Sequence, residues 1–256
     1  MLKEIILKCL NLNNWLKKNQ NCLLCEDEAR HFRGWIFCSS CLGYLPWLTQ
    51  TCVQCGINLS DDLSGAKKKC ASCLMRPPFF DQTVGIFAYE HPISKMLIQY
   101  KYHGQLFYVP TFSDMLALKI LANYKQNLRK LPDIILPVPL STTRLKIRGF
   151  NQASELAKYL SKILGVPYHA HVLKRSRDTP KQVGLSLKQR QANLKNAFDF
   201  VDVNKIRLFV KNKHIALVDD VFTTGATSEA LARKLKEAGA SSVDIWVLAR
   251  TLARIS

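Results

Sequence analysis

Two neighbouring carboxylates, Asp219 and Asp220, run almost at once into the turn Thr223-Thr224-Gly225-Ala226-Thr227. The apolar run before them, Ile215 to Val218, reads as a short buried parallel strand. The acidic pair therefore falls where that strand ends, at the carboxyl edge of a sheet, where open α/β sheets bind ligands. Gly225 permits a tight turn, and a helix follows to about Ala238. Successive backbone N–H groups and three threonine hydroxyls at a helix start form a cradle for phosphate. The adjoining carboxylates suit sugar hydroxyls or the shell of a bound metal. An ordinary strand–turn–helix explains one aspartate, but not a pair followed by Thr-Thr-Gly-Ala-Thr.

A second chemistry lies in the first third of the chain. Four Cys-x-x-Cys pairs, Cys22/Cys25, Cys38/Cys41, Cys52/Cys55 and Cys70/Cys73, are separated by 12, 10 and 14 residues. Two thiolates on one tight turn reach one metal ion, and two such turns complete a tetrahedron. The spacing predicts two zinc ions in a double zinc ribbon. Sequential pairing, first with second and third with fourth, is favoured, and a crossed arrangement stays open. Disulfides would need an oxidising compartment, and no export signal is visible, so a cytoplasmic protein is expected. Redox chemistry accounts for one such pair, not four. With eight cysteines filling two sites, His31 is read as a surface or packing residue.

The elements that must position these groups alternate strand and helix, which predicts an α/β fold with a mostly parallel sheet flanked by helices, behind a small cysteine-rich domain. Three regions are expected: an amphipathic helix over 1–20 (Leu2, Ile5, Ile6, Leu10, with Cys9 buried), the zinc ribbons over 21–79, and the α/β domain over 80–256. Pro77 and Pro78 mark the linker. Strands are expected at Thr83–Tyr89, Ile134–Val138, about 166–173, Ile215–Val218 and Val243–Leu248. Helices are expected at Ile93–Tyr102, Phe112–Tyr124 and Phe150–Leu164, the last capped by Asn151 and ended by Gly165. Residues 139–149 read as a loop carrying Arg144, Lys146 and Arg148.

Formal net charge is +18. Residues 80–256 hold 27 lysines and arginines against 13 acidic residues, while the cysteine-rich part is close to neutral once metallated. The basic excess favours acidic partners, and no apolar run approaches the roughly 18 residues of a membrane span.

Leu136-Pro-Val-Pro-Leu140, Arg148-Gly-Phe-Asn-Gln152, Gln189-Arg-Gln-Ala-Asn193 and Val218-Asp-Asp-Val-Phe-Thr-Thr-Gly-Ala-Thr227 occur in that order behind a cysteine-rich head. Over about residues 20–250 the chain resembles the ComF family of bacterial DNA uptake, with a type I phosphoribosyltransferase fold. The resemblance implies that Asp219 and Asp220 hold ribose hydroxyls of phosphoribosyl pyrophosphate, with Mg²⁺. Thr223, Thr224, Gly225, Ala226 and Thr227 then hold its 5-phosphate. Residues 139–149 face the pyrophosphate, and 174–193 form a mobile hood. Arg148, beside Gly149 at a loop-to-helix junction, is the favoured cation for the ligand. Lys174, Arg175 and Lys181 are expected on DNA phosphates.

Purine-salvage members of the fold place an acidic residue where Thr223 stands, so the catalytic group is unknown. Three functions follow. The first is an accessory protein of natural transformation that binds single-stranded DNA and phosphoribosyl pyrophosphate. The second is a phosphoribosyltransferase with another acceptor. The third is a scaffold whose ribbons hold proteins of the uptake machinery.

Overall fold

The structure, a computed structural model, describes residues 21–27, 34–59, 69–176, 197–202, 206 and 209–252. The expected helix over 1–20 with Cys9, as well as His31, Lys181, most of the expected hood and the motif 189–193, lie outside these residues. In chain order the elements are α1 (Ser39–Gly43), α2 (Ala71–Met75), β1 (Gln82–Ala88), α3 (Ile93–Tyr102), α4 (Tyr108–Gln126) and β2 (Ile134–Pro137). They continue with α5 (Thr142–Arg148), α6 (Gln152–Leu164), β3 (Leu173–Arg175), β4 (Phe198–Phe200), β5 (His214–Phe222), α7 (Ala226–Glu237) and β6 (Ser242–Arg250).

Four strands form one parallel sheet in the order β1-β6-β5-β2. Alternate side chains leave opposite faces. Ala216, Val218, Trp246 and Leu248 enter one core with α3, α4 and α6. Ile215, Leu217, Val243, Ile245 and Val247 enter a second core with α7 and the antiparallel hairpin β3–β4. Such two-sided burial is why these strands read as nearly continuous apolar runs.

Three expectations change in detail. β5 does not stop at Val218: it continues to Phe222, because β6 runs on beside it and pairs Val221 with Ala249 and Phe222 with Arg250. β2 ends at the Pro137–Val218 pairing, so beyond Val218 the acidic pair has a strand partner only on the β6 side. The segment 139–149 is not all loop. Thr142–Arg148 is a helix, with the Ser141 hydroxyl accepting from Arg144 N at 3.4 Å and Gly149 closing it at φ 77°. Seven residues are too few for a periodic signal, and Pro139 and Gly149 at the flanks read as loop. Near 166–173 there is a single bridge, Tyr168 to Ile135, and the strand itself is Leu173–Arg175. The caps of α6 agree with the reading: Asn151 Oδ1 accepts from Ala153 N at 3.0 Å, and Gly165 is left-handed.

The cysteine-rich part is packed against the sheet. Trp35, Ile36, Phe37 and Leu45 share the core of α3 and α4. Its backbone also covers the outer edge of β1. Ala88 N donates to Pro46 O at 2.7 Å, Leu48 N to Ile86 O at 2.8 Å, and Thr83 N to Val53 O at 3.1 Å. The groups that an edge strand would leave open are thereby satisfied. No helix among the described residues is long and apolar enough to cross a membrane.

Candidate functional site

β5 delivers Asp219 and Asp220 to the carboxyl edge. By alternation Asp220 shares the face of Ala216 and Val218, which is the face of α3. There Lys101, in the last turn of α3, places Nζ 3.0 Å from Asp220 Oδ1, and both side chains are largely buried. The end of α3 is fastened to the start of α6 through Gln152, which is itself buried. Tyr100 OH donates to Gln152 O at 2.8 Å, and Gln152 Nε2 donates to Lys101 O at 3.3 Å. The Oε1 of the same Gln152 accepts from Arg148 Nη1 at 3.0 Å, and the Arg148 guanidinium lies 5.0 Å over the Tyr102 ring.

Charge is unevenly shared in this site. Burial and the neighbouring Asp220 carboxylate push Asp219 up to about 7, against the pull of Lys101, the Asp220 N–H and Arg148. Burial alone would lower Lys101, but Asp220 outweighs it and keeps the ammonium above its usual range. The site thus holds one firm ion pair and, beside it, a carboxyl whose ionisation is disfavoured by burial and by Asp220.

The turn after β5 exposes Thr223 and Thr224. Gly225 has φ 78°, and a Cβ there would meet the Phe222 ring at 2.5 Å, so both conformation and space demand glycine. Ala226 is buried in the second core and offers the site its backbone N–H rather than its side chain. The first intrahelical bond of α7 runs from Glu229 N to Gly225 O at 2.8 Å. The N–H groups before it point out of the helix start, with the dipole behind them.

The structure therefore brings together Asp219, Asp220, the turn 223–227 and Arg148. Lys174 and Arg175 sit apart on the hairpin β3–β4 of the α7 face: Lys174 is exposed opposite Asp199, and Arg175 lies over the Phe198 ring at 5.4 Å. Sequence reasoning gave no role to Lys101 or Gln152, and for Tyr102 it weighed base stacking against a place in the core. The available signal was a lysine in the last turn of α3, beside the buried Tyr100 and directly before Tyr102-His-Gly104.

The cysteines gather in sequence order into two groups, Cys22/Cys25/Cys38/Cys41 and Cys52/Cys55/Cys70/Cys73, with all ligand atoms of a group within 4.8 Å of one another. Cys25 and Cys38 Sγ are 3.9 Å apart, and Cys55 and Cys70 Sγ are 3.6 Å apart. A tetrahedron with Zn–S of about 2.3 Å has edges of about 3.8 Å, so both groups fit a zinc ion. The groups are built alike. Cys38 N donates to Cys22 Sγ, and Cys70 N to Cys52 Sγ, each at 3.3 Å. Such donors favour the thiolate. In the first group, burial opposes the Cys22 thiolate, yet the N–H groups of Cys25, Cys38 and Leu24 outweigh it and bring the thiol down to about 6. In the second, hydrogen bonding from the Cys55 thiol brings Cys52 down to about 4.

The family pattern described as phosphoribosyl transferase domain matches residues 119–255. "Competence protein F" of Haemophilus influenzae is 33% identical over 233 residues, 91% of this chain and 97% of that protein. "DNA utilization protein YhgH" of Escherichia coli K12 is 34% identical over 231 residues, 90% of this chain and 97% of that protein. "Competence protein ComFC" of Bacillus subtilis is 28% identical over 251 residues, 90% of this chain and 95% of that protein.

Proposed function

The chain belongs to the competence protein F family, with a phosphoribosyl transferase domain, and from that premise we propose that it is a cytoplasmic accessory protein of DNA uptake. It binds phosphoribosyl pyrophosphate with Mg²⁺ at the carboxyl edge of the sheet, and single-stranded DNA through its basic surface. Two relatives are named for competence and one for DNA utilization. The observation that carries the ligand is the grouping of Asp219 and Asp220 with an exposed threonine turn at a helix start, flanked by Lys101 and Arg148. The aspartates suit the ribose hydroxyls, and the turn suits the 5-phosphate. Zinc in the two cysteine groups supplies folding free energy to a segment with little apolar core of its own.

Calorimetry tests the ligand. Asp219→Ala with Asp220→Ala should weaken phosphoribosyl pyrophosphate binding at least tenfold, and equal affinity in the two proteins sinks the assignment. A mobility-shift titration tests the DNA. Affinity should fall steeply between about 50 and 200 mM salt, as counterion release requires, with little sequence preference. Salt-insensitive binding, or none, removes the DNA reading.

One observation favours a second reading, transfer to an acceptor. Burial and the Asp220 carboxylate beside it raise the proton affinity of Asp219, the direction a general base requires. Release of pyrophosphate on incubation with phosphoribosyl pyrophosphate and Mg²⁺, with and without single-stranded DNA, separates an enzyme from a binding protein.

A further inference from the structure

The second cysteine group and the phosphate turn are far apart in the chain, yet one side chain grips both. Arg250 ends β6 and is 7% exposed. Its Nε donates to Cys55 O at 3.0 Å, in the middle of the second group. Its Nη1 donates to the carbonyls of Phe222 (3.3 Å), Thr223 and Thr251 (2.6 Å). The guanidinium also lies 4.6 Å over the Phe222 ring, the ring that closes the space beside Gly225. Thr251 reinforces the grip: its N donates to Phe222 O at 3.0 Å and its hydroxyl to Thr223 O at 3.3 Å.

These carbonyls matter because of what lies across their peptide planes. In a trans peptide the C=O and the following N–H point in opposite directions. The Phe222 carbonyl shares a plane with the Thr223 N–H, and the Thr223 carbonyl with the Thr224 N–H. A cation holding both carbonyls from below aims both N–H groups away from itself, into the turn's open side. It also polarises the two peptides, which strengthens them as donors. The other end of the guanidinium is set by Cys55, whose backbone is held by the loop that Cys52 and Cys55 share. Gly56 N donates to Cys52 O at 2.8 Å, and Gln54 Nε2 donates to Phe80 O at 3.2 Å. No comparable side chain links the first cysteine group to the turn among the described contacts.

We propose that Arg250 is a positioning residue. It orients the Thr223 and Thr224 N–H groups toward a phosphoryl ligand, and through Cys55 it makes that orientation depend on the second cysteine group and not on the first. The phosphoryl ligand rests on the reading of the turn given above, whereas the ordering of the turn does not.

The experiment is amide hydrogen exchange on the full chain, with calorimetry of phosphoribosyl pyrophosphate and Mg²⁺ beside it. Arg250→Lys keeps the charge but loses the fork that reaches several carbonyls. Exchange at the Thr251 and Glu229 amides, which donate to Phe222 O and Gly225 O on either side of the turn, should quicken by about tenfold, the loss of one or two hydrogen bonds, while α4 and β2 stay as protected as before. Ligand affinity should fall by about the same factor. Thr251→Val, which removes one hydroxyl from the same network, should give a smaller change at the same amides, and it serves if Arg250→Lys does not fold. Cys70→Ser should reproduce the quickened turn, and Cys38→Ser should not. Unchanged exchange at the Thr251 and Glu229 amides in both Arg250→Lys and Thr251→Val overturns the proposal, as does an equal effect of the two cysteine changes. A wild-type protein that binds no ligand removes the phosphate reading, while the exchange comparison still decides whether Arg250 orders the turn.

Discussion

The two cysteine groups have the same internal design but different surroundings. The first has Trp35, Ile36 and Phe37 between its two pairs, directly before Cys38, and they sink into the core beneath α3 and α4. The second touches Arg250 and, through it, the threonine turn. α3 in turn carries Lys101 against Asp220. The acidic-pair end of the site therefore stands on the core that the first group joins, and the threonine-turn end on the second group. A repeated metal-binding unit need not have a repeated task, because what it packs against sets its effect.

The largest test removes a ligand from each group. Cys22→Ser and Cys52→Ser should each reduce metal content from two zinc ions per chain to one and unfold the half of the cysteine-rich part that holds the lost ion. Metal analysis finding less than one zinc in well-folded wild-type protein ends the zinc assignment.

Next in size is Phe37→Ala. Phe37 is fully buried in the shared core, and truncation of such a ring costs about 3–5 kcal/mol. The denaturation midpoint should fall accordingly. A loss below about 1 kcal/mol would show that the first group is only loosely joined to the core.

Gly225→Ala probes the other side. The added Cβ meets a Phe222 ring held between Phe80 and Arg250, at φ 78°. The expected cost is about 1–3 kcal/mol of strain, with loss of ligand binding. Normal binding would mean that the turn yields and that its support by the second group is slack.

The smallest expected effect compares the two aspartates. Asp219 sits at about 7 in the folded protein against an ordinary value of 3.8. A carboxyl raised by folding binds more protons when folded, so it lowers stability as pH rises from about 4 to about 7. Asp219→Asn should therefore stabilise the protein at pH 8, by on the order of 1 kcal/mol or roughly 2–4 °C, and the gain should vanish near pH 4. Asp220→Asn should do the opposite at pH 8, since it leaves Lys101 buried without its partner. Thermal midpoints at the two pH values decide, and a destabilising Asp219→Asn at pH 8 contradicts the assigned charge state.

Much of this was legible in the sequence because it is local. The apolar spacing of Ile93–Tyr102, the Asn151 cap and the Gly165 stop each act within a few residues, and the structure has them there. The Asp219–Thr227 stretch is legible for the same reason, since strand, acids, glycine and helix follow one another directly. What stayed hidden acts between distant positions. Lys101 gains its meaning from Asp220, and Arg250 from Cys55 and Thr223, and no periodicity marks either pairing. β5 was cut short because its last residues are held by β6, which a reading of one strand cannot see. The short helix Thr142–Arg148 owes its start to the Ser141 cap and its end to Gly149, with too few turns to show a period.

The backbone of residues 46–53 lying along β1 has a consequence for how the chain can be divided. A protein shortened to begin near Phe79 would keep every residue of the acidic pair and the threonine turn, yet would bare a strand whose outer N–H and C=O groups face water. Such a strand is a template for its own kind. The shortened protein should self-associate edge to edge, so light scattering would report larger species than the full chain gives at the same concentration. The head then covers an edge that would otherwise be free to pair, besides carrying the two cysteine groups.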